Sequence, residues 1–211
     1  MTMITDEKLK CALCGTEGSY SILYSTNCFG PCDLDTRPAP MERDTLSVQI
    51  QVYQNCGYSN YDITTLDYPN VKEIVKSKKY QDILNTNLPT TAKNFYLFAT
   101  IAEENKENGV AGYALLKAAW ACDDCMELEL AMEFRKKSII NYLNYLKKNE
   151  TDETKLILLD LYRRTKQFDN VIEYASNINF VKENELFDKI RDCEIRLSQI
   201  QDSDCHNLGE I

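Results

Sequence analysis

The sequence predicts an α+β protein, mostly α, in which a small N-terminal β module precedes an antiparallel helical array. Three observations predict this. Between residues 8 and 66, apolar and polar residues alternate in short runs separated by Gly, Pro and Asp, which is the strand period. From about residue 69 the apolar residues recur three and four apart, which is the helical period. Helix breakers are scarce, with 7 Gly and 5 Pro in 211 residues, so a helix once begun meets few stops. The expected domains are 8–66 for the β module, 67–203 for the helices and 204–211 for a tail.

In "SYSILYST", Tyr20, Ile22 and Tyr24 fall on one side of a strand. "SVQIQVYQ" alternates more clearly and predicts a second strand, with Val48, Ile50 and Val52 inward and Gln49, Gln51 and Tyr53 outward. Between them, "NCFGPCDLDTRPAPMERD" reads as a long ordered loop, a type more often functional or metal-clamped than idle. Met1–Asp6 resembles a cloning-vector leader and is given no functional weight.

Pro69 and Pro89 suit the first turns of helices. "NG" at 108–109 is expected to end the helix begun after Pro89. "VAGYALLKAAWACDD" then presents Ala111, Ala114, Leu115, Ala118 and Ala119 as a small-residue face that permits close packing. "MELELAMEFRKKSIINYLNYLKK" predicts a long amphipathic helix whose Arg135, Lys136, Lys137, Lys147 and Lys148 form a solvated face. "LLDLYRRTKQFDNVIEYA" predicts a helix pair turning at Lys166–Gln167, with the rhythm of a tetratricopeptide repeat (TPR) but without its usual glycine. A plain helical bundle is the competing reading.

Composition excludes several functions. The net charge is −9, and the N-terminal 60 residues are themselves net acidic, which argues against a phosphate-neutralising nucleic-acid binder. No apolar stretch is long enough to span a bilayer, and the N-terminus lacks a signal-peptide pattern, so the cytosol is the expected compartment. There, nine cysteines imply a metal site or buried thiols rather than disulfides. With His206 the single histidine, and with no GxSxG, HExxH or glycine-rich phosphate loop, the motif-borne hydrolytic and nucleotide-binding chemistries find no support.

"CALCG", "STNCFGPCDLDTRP", "NCGY" and "AAWACDD", in this order, resemble a group of uncharacterised bacterial proteins. In these, a CxxC pair and a CPxCGY pair flank a DLDxRP-like loop, and a TPR-like helical region follows. The resemblance runs from about residue 10 to 180. It implies a rubredoxin-like zinc knuckle fused to a helical interaction domain. The sequence departs from the pattern at Tyr53, which replaces the first cysteine of the second pair, and at Cys32, where the loop has a non-ligand.

Structural zinc takes four thiolate or imidazole ligands, and CxxC lets one turn supply two. Cys11 and Cys14 have that spacing, and Cys56–Gly57 repeats the half-turn. A phenol titrating near ~10 is a poor replacement ligand. Cys28 or Cys32 is the available substitute, and Cys32, beside the rigid Pro31, is preferred. The expected zinc ligands are therefore Cys11, Cys14, Cys32 and Cys56; free thiols in a decayed knuckle are the alternative.

Asp33, Asp35 and Arg37 form a candidate recognition loop able to grip a carboxylate or phosphate, or else a locally bonded turn. Cys122 is expected to be a buried apolar residue, Trp120 to be core, and Asp123 or Asp124 to cap a helix starting near Met126. The functional expectation is a zinc-binding, TPR-like interaction or adaptor protein whose helical domain binds a protein or peptide, with no nucleic-acid or membrane partner. A metal-dependent enzyme or thiol redox sensor, using the cysteine cluster and the Asp33, Asp35, Arg37 loop, is the alternative.

Overall fold

The computed structural model describes residues 1–181 and 183–211. It is α+β, mostly α, with strands confined to the N-terminal part. Two hairpins lie there, each interrupted by a tight cysteine-bearing turn. β1 (Met3–Lys10) pairs antiparallel with β2 (Glu17–Ser25), Lys10 opposite Glu17. β3 (Gln51–Val52) pairs with β4 (Ser59–Asn60) around the second turn. The two pairs are separate two-stranded sheets.

β2 lies where its alternation places it, whereas β1 was not foreseen and takes in part of the leader-like Met1–Asp6. Its residues are mostly exposed on both faces, so no apolar alternation marks it. The expected strand "SVQIQVYQ" is corrected. Residues Glu42–Val48 wind into a 3-10 helix, fastened where Thr45 Oγ1 donates to the Glu42 carbonyl, and only Gln51–Val52 remain extended. Gln51 and Tyr53, expected outward, are buried, while Val48 and Val52 are half-buried. Leu46 and Ile50, four apart, instead enter the helical core.

The helices are α1 (Val71–Lys76), α2 (Lys78–Leu84), α3 (Thr90–Glu104), α4 (Asn108–Asp124), α5 (Leu128–Leu146), α6 (Asp152–Arg164), α7 (Phe168–Asn177) and α8 (Glu185–Gln199). α4 uses its small-residue face as expected. Ala111, Ala114, Ala118 and Ala119 are fully buried, and Gly112 lets the Tyr142 ring of α5 approach so closely that a Cβ there would stand 3.0 Å from it. The α3–α4 turn centres on Lys106 rather than on Asn108–Gly109, which begin α4.

The ends of α3, α4, α6 and α8 share one device. Lys106, Met126, Lys166 and Gln201 all have positive φ, between 56° and 64°. After α3, the Lys106 N–H donates to the Glu103 carbonyl and the Glu107 N–H to that of Ala102. The same pair of bonds recurs at Met126–Glu127, Lys166–Gln167 and Gln201–Asp202. This is the Schellman closure, which satisfies otherwise orphaned carbonyls and usually places glycine at the left-handed position.

Several expected local roles are corrected. Asp123 and Asp124 end α4 and do not cap α5. Asp123 instead pairs with Arg135 and Arg164, and Asp124 with Arg37. Arg135, expected on a solvated face, is therefore buried. The helical spacing of its neighbours gave no hint of a partner on another helix.

The expected tail, residues 204–211, folds back on the protein together with the residues just before it. Fully buried Arg163 donates to Glu194 at 2.6 Å, to Asp160 at 2.7 Å, and to the carbonyls of Asp202 and Asp204 at 3.2 and 2.7 Å. Two carboxylates then face one guanidinium. Burial, and after it the neighbouring Asp160, push the Glu194 carboxyl up to about 8. Asp160 Oδ2 and Glu194 Oε1 are otherwise unpartnered, and a proton on Glu194 supplies a donor between them.

Lys166→Gly, at an exposed left-handed position, raises stability by about 0.5–1 kcal/mol in urea unfolding; a loss would contradict the closure described. Glu194 holds its proton more tightly folded than unfolded, so its contribution to stability is complete below pH 4.5 and lost as pH rises towards about 8. Thermal melts from pH 5 to 8 should therefore decline less steeply in Glu194→Gln than in the wild type. Identical slopes would rule out this linkage.

Candidate metal centre

The two cysteine-bearing turns are built alike, residue by residue. In the first, the Cys11 N–H donates to the Thr16 carbonyl at 2.9 Å and the Gly15 N–H to the Cys11 carbonyl at 2.8 Å. In the second, the Tyr53 N–H donates to Tyr58 at 2.8 Å and the Gly57 N–H to Tyr53 at 2.7 Å. Gly15 and Gly57 both have φ of 74°. Tyr53 thus stands where Cys11 stands, and Cys56 where Cys14 does.

The facing turns bring the Cys11, Cys14 and Cys56 sulfurs within 4.8 Å of one another. Cys11 and Cys56 Sγ are 3.7 Å apart. Zinc–sulfur bonds of about 2.3 Å in a tetrahedron place neighbouring sulfurs about 3.8 Å apart, so this spacing fits a shared tetrahedral cation. Cys11 is buried, Cys56 half-buried and Cys14 exposed, leaving one side of the cluster open to solvent.

The thiols differ in acidity. Burial raises Cys14, but the Thr16 hydroxyl 3.5 Å from its sulfur, the Thr16 backbone, Cys56 and Cys11 outweigh it and bring it down to about 7. Cys56 is pushed up to about 12, chiefly by burial and further by Cys14 and Cys11. Neighbouring thiols resist ionising together, and a bound divalent cation removes that conflict by favouring every thiolate.

The fourth corner is not supplied by Tyr53. Its buried ring packs against Tyr20 at 6.3 Å, and its hydroxyl donates to the Glu17 carbonyl at 2.9 Å. Of the four expected ligands, the structure brings Cys11, Cys14 and Cys56 together and leaves Cys32 outside the cluster. The Cys32 carbonyl accepts from the Leu208 N–H at 2.9 Å, and burial raises its thiol. Cys28 is also elsewhere, 3.6 Å from the Ala39 carbonyl.

The reason lies in the loop's anchors. Asp35 accepts from Trp120 Nε1 at 2.7 Å and from its own turn at the Arg37 N–H. Arg37 Nη2 spans both oxygens of Asp124 at 2.7 Å. Asp33 holds Arg43 at 2.6 Å and lies 3.2 Å from Cys205 Sγ. Asp33, Asp35 and Arg37 are all buried, and the local turn captures only part of their bonding. Burial, then Asp160, raises the Asp35 carboxyl to about 6, against Arg135 and Trp120. These long-range partners, on α4 and in the C-terminal segment, carry no mark in the local sequence.

The second turn is clamped by helices. Tyr80 of α2 donates to the Gly57 carbonyl at 2.8 Å, and a Cβ on Gly57 would meet Leu84 at 2.6 Å. Cys11, Tyr53 and Tyr58 share an apolar cluster with Ile74, Tyr80 and Ile101, so the β module and α1–α3 have a common core. No family model matches the chain, and searches of curated proteins and of solved structures find no match.

Gly57→Ala combines left-handed strain with a clash and should cost about 3 kcal/mol in chemical unfolding. Gly15→Ala, whose Cβ would meet only Lys10 at 3.9 Å, should cost only about 1–2 kcal/mol. Equal losses would mean that α2 does not clamp the second turn.

Proposed function

We propose that the chain is a cytosolic zinc-binding adaptor, in which a three-thiolate metal centre staples a zinc-ribbon-like module that is docked on a TPR-like helical domain that binds a protein or peptide. The observation that carries the metal assignment is the convergence of Cys11, Cys14 and Cys56 from two equivalent turns. Thiolate-rich, tetrahedral spacing favours zinc over the oxygen-seeking cations. With three protein thiolates, the fourth coordination position belongs to water or to an incoming ligand.

The helical part supports the adaptor reading through its repeated construction. Helix pairs α3–α4, α4–α5 and α6–α7 are each joined by a three-residue turn of the same left-handed form. Stacked helical hairpins are the architecture from which extended peptide-binding surfaces are made. No helix among the described residues is long and apolar enough to cross a membrane.

Metal analysis of reduced, purified protein tests the assignment. One zinc per chain is expected, with Cys14→Ser and Cys56→Ser losing it and Cys32→Ser keeping it. Tyr53→Cys, which puts a fourth sulfur at the position equivalent to Cys11, should tighten zinc in a chelator competition by at least about tenfold. Absence of zinc in wild type, or its loss in Cys32→Ser, would overturn the ligand set.

A further inference from the structure

A second site lies away from the cysteines, where the loop carrying Arg37 and the 3-10 helix cross the face of α4. A partly open cavity of about 40 Å³ sits there, lined among others by Arg37, Arg43, Gln49, Tyr113, Lys117 and Trp120. That volume holds about three waters. In a chain of net charge −9, three cations line one small cavity beside two aromatic rings.

Lys117 is the unusual member. It lies on the buried alanine-rich stretch of α4 and is only 9% exposed. No carboxylate lies within ion-pair distance of it among the described residues, and its hydrogen-bond partner is the Gln49 side-chain oxygen at 2.8 Å. The rings of Tyr113, Tyr61 and Phe95 lie 4.7, 5.1 and 5.6 Å from its nitrogen. Burial pulls it down to about 8, only partly offset by Glu42. An ammonium has three donors and is costly to bury without an anion.

Arg37 and Arg43 retain donors too. Arg37 commits Nη2 to Asp124, and its Nε and Nη1 have no partner among the described residues. Arg43 uses Nη2 for Asp33 and Nε for the Pro38 carbonyl, leaving Nη1. Arg37 stands 5.9 Å from the Trp120 ring centre, so guanidinium and indole share one wall. Glu42 also lines the cavity and offsets part of its positive charge.

We propose that this cavity binds the carboxylate group of a short-chain organic acid, with Lys117 as the central cation, Arg37 and Arg43 as flanking donors, and Trp120 and Tyr113 against its carbon atoms. The small volume and the aromatic wall favour a planar carboxylate with a short apolar stem over inorganic phosphate.

Trp120 is the sole tryptophan, so its fluorescence reports directly on the cavity. The full-length protein is titrated with acetate, succinate and inorganic phosphate, against chloride at matched ionic strength. A saturable change with acetate or succinate is expected, absent with chloride and weaker with phosphate. Lys117→Met should weaken the fitted affinity at least about tenfold, since a charge-assisted bond is lost. Arg43→Gln, altering a partly exposed residue, should weaken it by a smaller factor, and thermal melts establish that both variants fold. No saturable response to either carboxylate, an equal response to chloride, preference for phosphate, or unchanged affinity in folded Lys117→Met would each overturn the proposal.

Discussion

The structure depends on the tie between the loop at residues 33–37 and the C-terminal half of α4. Asp35 accepts from Trp120, and Arg37 grips Asp124, both over more than eighty residues of chain. The bonds are buried on the loop side, where charged hydrogen bonds strengthen and where removing one partner leaves the other unsatisfied. Because this tie holds the loop against α4, Cys28 and Cys32 lie apart from the sulfur cluster. It also forms one wall of the basic cavity and presents the Asp33 strand bridge to which Asn207 of the C-terminal segment pairs. The cavity, the docking of the chain end and the separation of Cys28 and Cys32 from the sulfur cluster are therefore consequences of one seam.

The cysteine cluster is economical in a different way. A two-stranded hairpin alone is marginal in water, and each sheet here consists of just two strands. The second finds its support in α1–α3, through Tyr80, Leu84 and the shared apolar cluster. That support explains how Tyr53 is accommodated at a cysteine position. Its ring fills core volume and its hydroxyl is satisfied by Glu17, so the turn keeps its shape without a fourth sulfur. A cation would then add stability to a turn already formed, rather than create it.

How much of this was legible in the sequence follows from where the determining interactions lie. The helices of the C-terminal two-thirds were readable because each buries a stripe at its own period. The CxxC spacing and Gly15 and Gly57 disclosed the two turns, and Cys11, Cys14 and Cys56 follow from them. β1 was hidden because "MITDEKLK" is exposed on both faces, and the Val48, Ile50, Val52 alternation misled because a 3-10 helix consumes its first member. Lys117 gave no signal within its own helix. Its meaning comes from Gln49, Arg37 and Arg43, which arrive from elsewhere in the chain. The partner of Cys32 was likewise unreadable, because the C-terminal segment that holds it carries only an unremarkable polar sequence.

X-ray absorption at the zinc edge, on reduced protein loaded with one equivalent, tests the central claim most directly. A three-thiolate centre predicts three sulfurs at about 2.3 Å and one lighter oxygen or nitrogen neighbour. Four sulfurs would mean that the loop releases Cys32 or Cys28 to the metal, against the anchors described. Zinc without a sulfur shell would contradict the site itself.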